Sequence, residues 1–489
     1  MKKMNVLRTM CLTLFLVPTV QAQSTTGVNN ADLKGDYAFS FNGMTTGDGV
    51  TSTPFAAVGR FTADGAGNLT NGELDANGLG VSMGGIEKGA ALAFNGSYTI
   101  GADNRGVMNL NIPGGGTLAF VMLANGNAKF VEVDASGGHG TVGSGSMERA
   151  NTSAYNTAAI AGDYAFGVAG FDQSNNRTAM AGRFTANGMG MYSNGAADVN
   201  LAGHFMTFNA LAGTYAVTDG ATGRGILIMP PAIGGFPGNL NFVFYTVNAG
   251  KIFLMEMDAV SSATPLLNGT LLQQQTPLGG FTSASLNSGM VMYWTGNNGG
   301  PACAGGGLLT GDGVSGLSLT YDNSCNGTSA AGLIGTYSVA SDGRVALRPG
   351  TAYVVAYLVT SNEGFILVPD GTVSFGFGES QASGTFTNSS ISGQYAGSTT
   401  KPASVGVTIF SGEFTADGAG NLGGTEDIGA PTGETTNAVS ATYSVSSSPT
   451  NGRGTISGSF SGIVYVISPT KFAVVSMGAP NSAIAIFEH

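Results

Sequence analysis

Short runs of alternating apolar and polar residues, separated by turn sequences, make up most of the chain. In residues 59–69, two strand-like runs flank an Asp-Gly pair, and similar units recur at residues 182–190, 307–317 and 412–422. Asp-Gly and Asn-Gly pairs tolerate the positive φ angles that a tight hairpin turn requires. Each of these units is therefore predicted to form a β-hairpin.

Two further patterns recur around the hairpins. An opening segment at residues 33–39 returns at 160–166 and 391–396, and more loosely near residue 286. A later segment carries a tyrosine followed by an arginine in a Gly-containing turn, and both occur in every copy: Tyr98 and Arg105, Tyr215 and Arg224, Tyr337 and Arg344, Tyr443 and Arg453. The copies define four domain-sized repeats, residues 23–152, 153–277, 278–383 and 384–489. Residues found in every repeat are interpreted as framework, so function is expected where the repeats differ.

Each repeat contains about eight short apolar or alternating runs, and none has a sustained helical period. The prediction is an all-β protein of four tandem antiparallel meanders with about eight strands each. A meander of this size can close into an up-and-down barrel, which leaves no exposed edge strand. We favour the barrel, and the alternative is a two-layer β-sandwich.

The first 22 residues have a basic start and an apolar middle, and they end on Ala22, which is typical of a secretory signal peptide. The apolar run is shorter than the ~20 residues that a transmembrane helix needs, and no later run is longer. The protein is therefore expected outside the cytoplasm, in the periplasm, at the cell surface or in the extracellular space.

Composition supports this class and excludes one kind of partner. The chain has 80 glycines among 489 residues, only 18 Lys and Arg, and a formal net charge of −11. Many glycines and few charges suit short strands joined by turns. A strong acidic excess repels phosphate backbones, so nucleic acid is not an expected partner.

No pattern predicts a catalytic site, a metal site or a cofactor. The histidines His139, His204 and His489 do not recur between repeats, and a Gly-x-Ser-x-Gly match at residues 80–84 lacks the strand-turn-helix context that would give it meaning. The Asp-Gly loops supply one carboxylate each, whereas Ca²⁺ takes six to eight oxygen ligands, so a metal-free turn is the better interpretation.

Cys303 and Cys325 are the only cysteines after the signal segment, and they flank the hairpin of the third repeat. If Leu309 faces Leu317 across the turn, Cys325 lies diagonally opposite Cys303. In an exported protein this arrangement predicts a structural disulfide, with a reactive pair as the alternative.

Comparison of the repeats also predicts structural ion pairs. Arginine opens the hairpin in the first two repeats, and glutamate occupies the seventh strand of the same repeats; the predicted pairs are Arg60 with Glu132 and Arg183 with Glu256. The third repeat has leucine at both places, taken as Leu308 and Leu367. The fourth repeat departs from this rule, and a ligand-binding role for the charged pairs is the alternative.

Tyr293 and the single tryptophan, Trp294, form a possible ligand platform on which a sugar could stack. A role in the core is the alternative, because large aromatic side chains usually fill the interior of a domain.

The Phe-Thr-Ala-Asp-Gly-Ala-Gly-Asn sequence of the hairpins, together with the Gly-Ser-Tyr-Thr-Ile segment, resembles uncharacterised exported tandem-repeat proteins of soil bacteria. The resemblance covers nearly the whole chain after residue 22 and implies location and architecture, but no activity and no site residue.

Three functions remain open from sequence. The first is a non-enzymatic exported protein for adhesion, cell-surface structure or binding of matrix or glycan, with extracellular polysaccharide or cell-surface components as partners. The second is a set of barrels that each hold a small apolar ligand. The third is a secreted hydrolase that acts on polymers.

Overall fold

The structure is a computed structural model, and it describes residues 27–45, 53–78, 91–113, 115–134, 141–230, 236, 238–297, 301–400, 407–430, 433–447, 450–478 and 481–489. The segment predicted to be a signal peptide and the Gly-x-Ser-x-Gly match lie outside these residues, as does His139.

Four closed antiparallel barrels of eight strands each follow one another along the chain. Barrel 1 comprises β1 (Lys34–Thr45), β2 (Thr53–Asp64), β3 (Asn68–Gly78), β4 (Leu92–Ile100), β5 (Arg105–Leu110), β6 (Thr117–Met122), β7 (Ala128–Glu132) and β8 (Thr141–Arg149). Barrel 2 comprises β9 (Ala161–Phe171), β10 (Arg177–Asn187), β11 (Met191–Leu201), β12 (His204–Asp219), β13 (Arg224–Met229), β14 (Leu240–Asn248), β15 (Lys251–Glu256) and β16 (Leu266–Gln273).

Barrel 3 comprises β17 (Gly289–Gly296), β18 (Cys303–Gly311), β19 (Gly316–Asn323), β20 (Thr328–Val339), β21 (Arg344–Pro349), β22 (Val354–Thr360), β23 (Glu363–Leu367) and β24 (Phe375–Ser380). Barrel 4 comprises β25 (Ser392–Thr400), β26 (Ile409–Asp417), β27 (Asn421–Ala430), β28 (Gly433–Val445), β29 (Arg453–Gly458), β30 (Gly462–Ser468), β31 (Lys471–Val475) and β32 (Ile484–Glu488).

The predicted meander barrel is confirmed, and the two-layer sandwich does not form. Each strand pairs with its neighbours in sequence, and the first strand of each barrel also pairs with the last, as in the ladder from Tyr37 opposite Arg149 to Thr45 opposite Thr141. Closure satisfies the backbone groups that an edge strand would leave unpaired.

Apolar side chains fill the barrel interiors because alternate residues of each strand point inward. In barrel 1 the inward set includes Phe39, Phe61 and Phe130, and Phe41 stacks on Phe130 with ring centroids 6.1 Å apart. In barrel 2 the loop residue Phe236 joins the buried core, and in barrel 4 Phe460 stacks on Phe410 at 6.0 Å.

The aspartate of each Asp-Gly turn accepts hydrogen bonds from its own loop. In the first hairpin the Asp64 side chain accepts hydrogen bonds from the backbone N–H groups of Ala66 and Asn68 at 2.7 and 3.0 Å. Hydrogen bonds led by that from the Asn68 side chain lower the pKa of Asp64 to about 2. Gly65 and Gly67 have φ angles of 79° and 106°, which explains why glycine occupies these positions.

The four barrels are arranged as a closed ring. Apolar clusters join barrel 1 to barrel 2, barrel 2 to barrel 3, and barrel 3 to barrel 4. Two further clusters join barrel 1 to barrel 4, so the first and last barrels are in contact. No helix in the described part of the chain is long and apolar enough to span a membrane.

Candidate functional site at the axis of the ring

An Arg–Asp pair with a buried aspartate links each barrel to the one before it. The arginine that follows the recurring tyrosine reaches an aspartate on the third strand of the preceding barrel. The pairs are Arg224–Asp75, Arg344–Asp198, Arg453–Asp322 and, between the first and last barrels, Arg105–Asp427. The shortest contacts are 2.7 Å in the first three pairs and 2.8 Å in the fourth.

The first three pairs share one geometry. Arg344 donates from Nε and Nη2 to the two oxygens of Asp198 at 2.7 and 2.8 Å, and the Tyr357 hydroxyl donates to the same carboxylate at 2.6 Å. Bidentate pairing of this kind fixes relative orientation as well as adding attraction. Burial acts to raise the pKa of Asp322, but hydrogen bonds from Arg453 and Tyr465 outweigh it and lower the pKa.

The pair between barrels 1 and 4 is built differently. Arg105 uses Nη1 for Asp427 and Nε for Asp103, and Val121 occupies the strand position that is tyrosine in the other barrels. Arg105 thus divides its guanidinium between two aspartates, whereas Arg344 and Arg453 each direct Nε and Nη2 to one carboxylate.

Closure of the ring brings the first strands of the four barrels together at a central axis. Residues at the same position on these strands face one cavity: Asn42, Ala169, Thr295 and Thr400. The cavity has a volume of about 280 Å³. Its wall also includes aromatic and aliphatic side chains, among them Phe171, Phe365, Phe375, Phe377 and Leu272.

Arg177 is the buried cation of this cavity. Its side chain lies 5.6 Å from the ring centroid of Phe171, and Nη2 donates to the Thr295 hydroxyl at 2.9 Å. Among the described residues it forms no salt bridge, and Nε has no hydrogen-bond partner. Burial lowers the pKa of Arg177 to about 10, although the charge of Asp370 opposes this shift, so the guanidinium stays charged at neutral pH.

Lysine–glutamate pairs join neighbouring barrels near the axis. Lys251 contacts Glu148 at 2.6 Å, Lys471 contacts Glu379 at 2.8 Å, and Lys129 contacts Glu488 at 2.7 Å. Burial acts to raise the pKa of Glu488, but the charges of Lys129 and Lys471 lower it to about 2. These lysines are thus neutralised by carboxylates of the protein.

Among the described residues, the junction of barrels 2 and 3 has no such pair. Glu363 begins β23 at the position where barrels 2 and 4 have Lys251 and Lys471. Leu272 occupies the position of the partner glutamate. Burial raises the pKa of Glu363. The axial cavity is therefore walled by apolar side chains on this side.

The predicted disulfide between Cys303 and Cys325 is present. The register used to predict it was wrong by two residues, because Leu309 faces Leu319 and Gly311 faces Leu317. The observed register ends at the pair of Gly305 and Asn323. If it is extended by two residues, Cys303 lies directly opposite Cys325.

The predicted pairing of Arg60 with Glu132 does not form. Arg60 points out of barrel 1, where its guanidinium bonds Asp36, and it also donates to the Asn71 carbonyl at 2.7 Å. Arg183 repeats this arrangement with Asp163 at 2.7 Å rather than with Glu256. The prediction failed because these arginines and glutamates lie on opposite faces of the barrel wall.

Glu132 points into barrel 1. Its Oε1 accepts a hydrogen bond from the Asp134 N–H at 3.1 Å, while Oε2 has no partner among the described residues. Burial, with a smaller effect of the Asp134 charge, raises the pKa of Glu132 to about 9. The inward counterpart in barrel 3 is Val368, two residues after the inward Ile366, and not the outward Leu367.

Tyr293 and Trp294 do not form a shared platform. They are consecutive residues of β17, and successive side chains of a strand point to opposite faces. Trp294 belongs to the core of barrel 3, whereas the Tyr293 hydroxyl donates to Glu379 at 2.7 Å beside the axis.

Sequence reasoning missed Arg177 and the aspartates that link the barrels. Arg177 has no counterpart in the other repeats, so comparison of repeats does not reveal it. Asp75, Asp198, Asp322 and Asp427 did leave a signal, because each repeat carries an aspartate on its third strand as regularly as it carries the linking arginine.

Comparisons with known proteins add little to this description. No family model matches the chain, and no curated protein matches it. One similar solved structure is a protein of Nitrosomonas europaea provisionally identified as AttH, with 9% identity, 49% of this chain and 92% of that chain covered, and a TM-score of 0.16. A likeness of this size carries no functional information.

Proposed function

We propose that the chain is an exported, non-enzymatic binding protein whose ligand site is the axial cavity. The observation that carries the proposal is that all four barrels contribute side chains to one cavity of about 280 Å³. This is close to the lower end of the ~300–1,000 Å³ range of small-molecule sites, and its mostly apolar wall with few polar groups is typical of them. The residue 1–22 pattern and the disulfide support export.

The barrel interiors are less suited to this role. The cavity inside barrel 1, next to Glu132, measures about 70 Å³, well below the ~300 Å³ of an ordinary ligand site. Phe236 and Phe460 fill the corresponding regions of barrels 2 and 4. The axial cavity is therefore favoured over a ligand inside each barrel.

Ligand-observed NMR on the mature protein, with a set of small aromatic and aliphatic compounds, tests the proposal. Thr400→Trp fills part of the cavity and should abolish binding of those compounds that bind the natural protein. Thr442→Trp, on the exposed face of β28, is the matched control and should bind as the natural protein does. Binding that survives Thr400→Trp undiminished would place the site elsewhere.

A second candidate function is adhesion to matrix or glycan through the outer wall of the ring. An exposed serine or threonine directly precedes the recurring tyrosine in every barrel: Ser97, Thr214, Thr336 and Thr442. Such hydroxyls can hydrogen-bond sugars without a deep pocket. A polysaccharide pull-down with the four positions changed to alanine tests it, and unchanged retention would remove this surface from consideration.

A further inference from the structure

Arg177 differs from the other strongly buried arginines of the described residues. Arg60, Arg105 and Arg183 are also less than a tenth exposed, and each bonds an aspartate of the protein. Arg177 is 4% exposed, yet its only hydrogen bond among the described residues is to the neutral Thr295 hydroxyl. A buried charge without a counter-charge is costly, so this position is expected to have an anionic partner.

The neighbouring carboxylate does not fill that role. Asp370 influences Arg177 electrostatically, but its oxygens accept hydrogen bonds from Thr372 and Ser374, including two at 2.9 Å to Oδ2. Lys251, the other cation in the cavity wall, is held by Glu148. The cavity therefore presents one cation that the described side chains leave unneutralised.

The walls beside Arg177 determine what else the partner contains. Phe171, Phe365, Phe375, Phe377 and Leu272 present ring and methyl surface to the same space. A hydrated inorganic anion would leave these surfaces in contact with water, whereas an apolar group attached to the anion would cover them.

The size of the cavity limits the ligand. A water molecule occupies about 30 Å³, so 280 Å³ corresponds to about nine water-sized groups. Benzoate and octanoate have about this number of non-hydrogen atoms, while a long-chain lipid is far larger.

We propose that the axial cavity binds a small organic monoanion, an aromatic or short aliphatic carboxylate, with its charge on Arg177 and its apolar body against the phenylalanines. The proposal rests on the proposed function, because it names the chemistry of the ligand at that same site. Arg177 is the specificity-determining residue, since it distinguishes a carboxylate from a neutral molecule of the same shape.

Calorimetric titration of the four-barrel protein, residues 23–489, with benzoate, benzamide, octanoate and sulfate tests the proposal. Benzoate and octanoate should bind, and benzamide should bind about 10- to 100-fold more weakly, because its neutral amide supplies no negative charge to compensate that of Arg177. Sulfate should bind more weakly than benzoate, because it has no apolar body.

Two variants and a control locate the effect. Arg177→Gln should remove the preference for benzoate over benzamide, and Arg177→Lys should retain part of it. Arg348→Gln, which removes an exposed arginine outside the cavity, should leave the preference unchanged. In thermal melts without ligand, Arg177→Gln should be at least as stable as the natural protein, because it no longer buries an uncompensated charge.

The outcomes separate the two proposals. Equal binding of benzoate and benzamide, or an unchanged preference in Arg177→Gln, would overturn the anion assignment while leaving the cavity as a binding site. Sulfate binding as tightly as benzoate would overturn the organic part. If no organic probe binds and Thr400→Trp changes nothing, the proposed function itself fails.

Discussion

The side of the barrel wall to which a residue points decides its chemistry. Arg60 and Glu132 belong to the same barrel, yet one faces outward to Asp36 and the other inward among phenylalanines. The Asp36 and Asp163 pattern was visible in the sequence, because aspartate and arginine occur together in the first two repeats and are both absent from the last two. The alternation of apolar and polar residues did not show which residues point into the barrel. That orientation decides whether Asp36 or Glu132 is the partner of Arg60.

A double-mutant cycle in urea unfolding should show coupling between Arg60 and Asp36 but none between Arg60 and Glu132. Residues that share a hydrogen-bonded ion pair usually couple by about 0.5–3 kcal/mol. Arg183 with Asp163 in barrel 2 is the matched pair and should behave alike. Coupling of Arg60 to Glu132 instead would contradict the assignment of Arg60 to the outer face and Glu132 to the inner face of barrel 1.

The raised pKa of Glu132 predicts a pH-dependent difference in stability between the natural protein and Glu132→Gln. The ordinary pKa of 4.5 is raised to about 9 by burial, so between these values the folded state holds a proton that the unfolded state has lost. Stability relative to Glu132→Gln should therefore be highest below pH 4.5 and fall as pH rises towards 9, by up to about 1.4 kcal/mol per pH unit.

Urea unfolding at pH 4, 6 and 8 measures this slope. Glu132→Val, which copies the inward residue of barrel 3, should show the same pH profile as the glutamine variant. Parallel profiles for the natural protein and both variants would mean that Glu132 is ionised in the folded state.

Strands and hairpins were the part of the structure most accessible from sequence. Period-two alternation identified the strands, and the demand for positive φ at Gly65 and Gly67 identified the turn between β2 and β3. Register was less accessible: in the hairpin of β18 and β19 a shift of two residues preserves the inward and outward faces, so the apolar pattern could not distinguish Leu317 from Leu319 as the partner of Leu309.

The disulfide across that hairpin should stabilise the protein by about 3 kcal/mol, since it closes a loop with a sequence separation of 22 residues. Urea unfolding with and without reductant measures the difference. The double variant Cys303→Ser, Cys325→Ser should match the reduced protein and should not respond to reductant. Equal stability of the oxidised and reduced natural protein would contradict this.

The ring was the least predictable feature, because each linking contact joins residues of different repeats. The four arginines were correctly assigned to the framework, but nothing in their spacing identifies Asp75 or Asp427 as partners across barrels. The ring also explains how repeated units form one shared cavity: the axis lies where four similar surfaces meet, and the differences between repeats, such as Arg177, appear there once.

Small-angle X-ray scattering of residues 23–489 tests ring closure most directly, because the axial cavity exists only if barrel 4 returns to barrel 1. A compact arrangement of this chain length should give a radius of gyration of about 23 Å and a symmetric distance distribution. A clearly larger radius with a long tail, as four barrels in a row would give, would contradict the ring and the binding site at its axis.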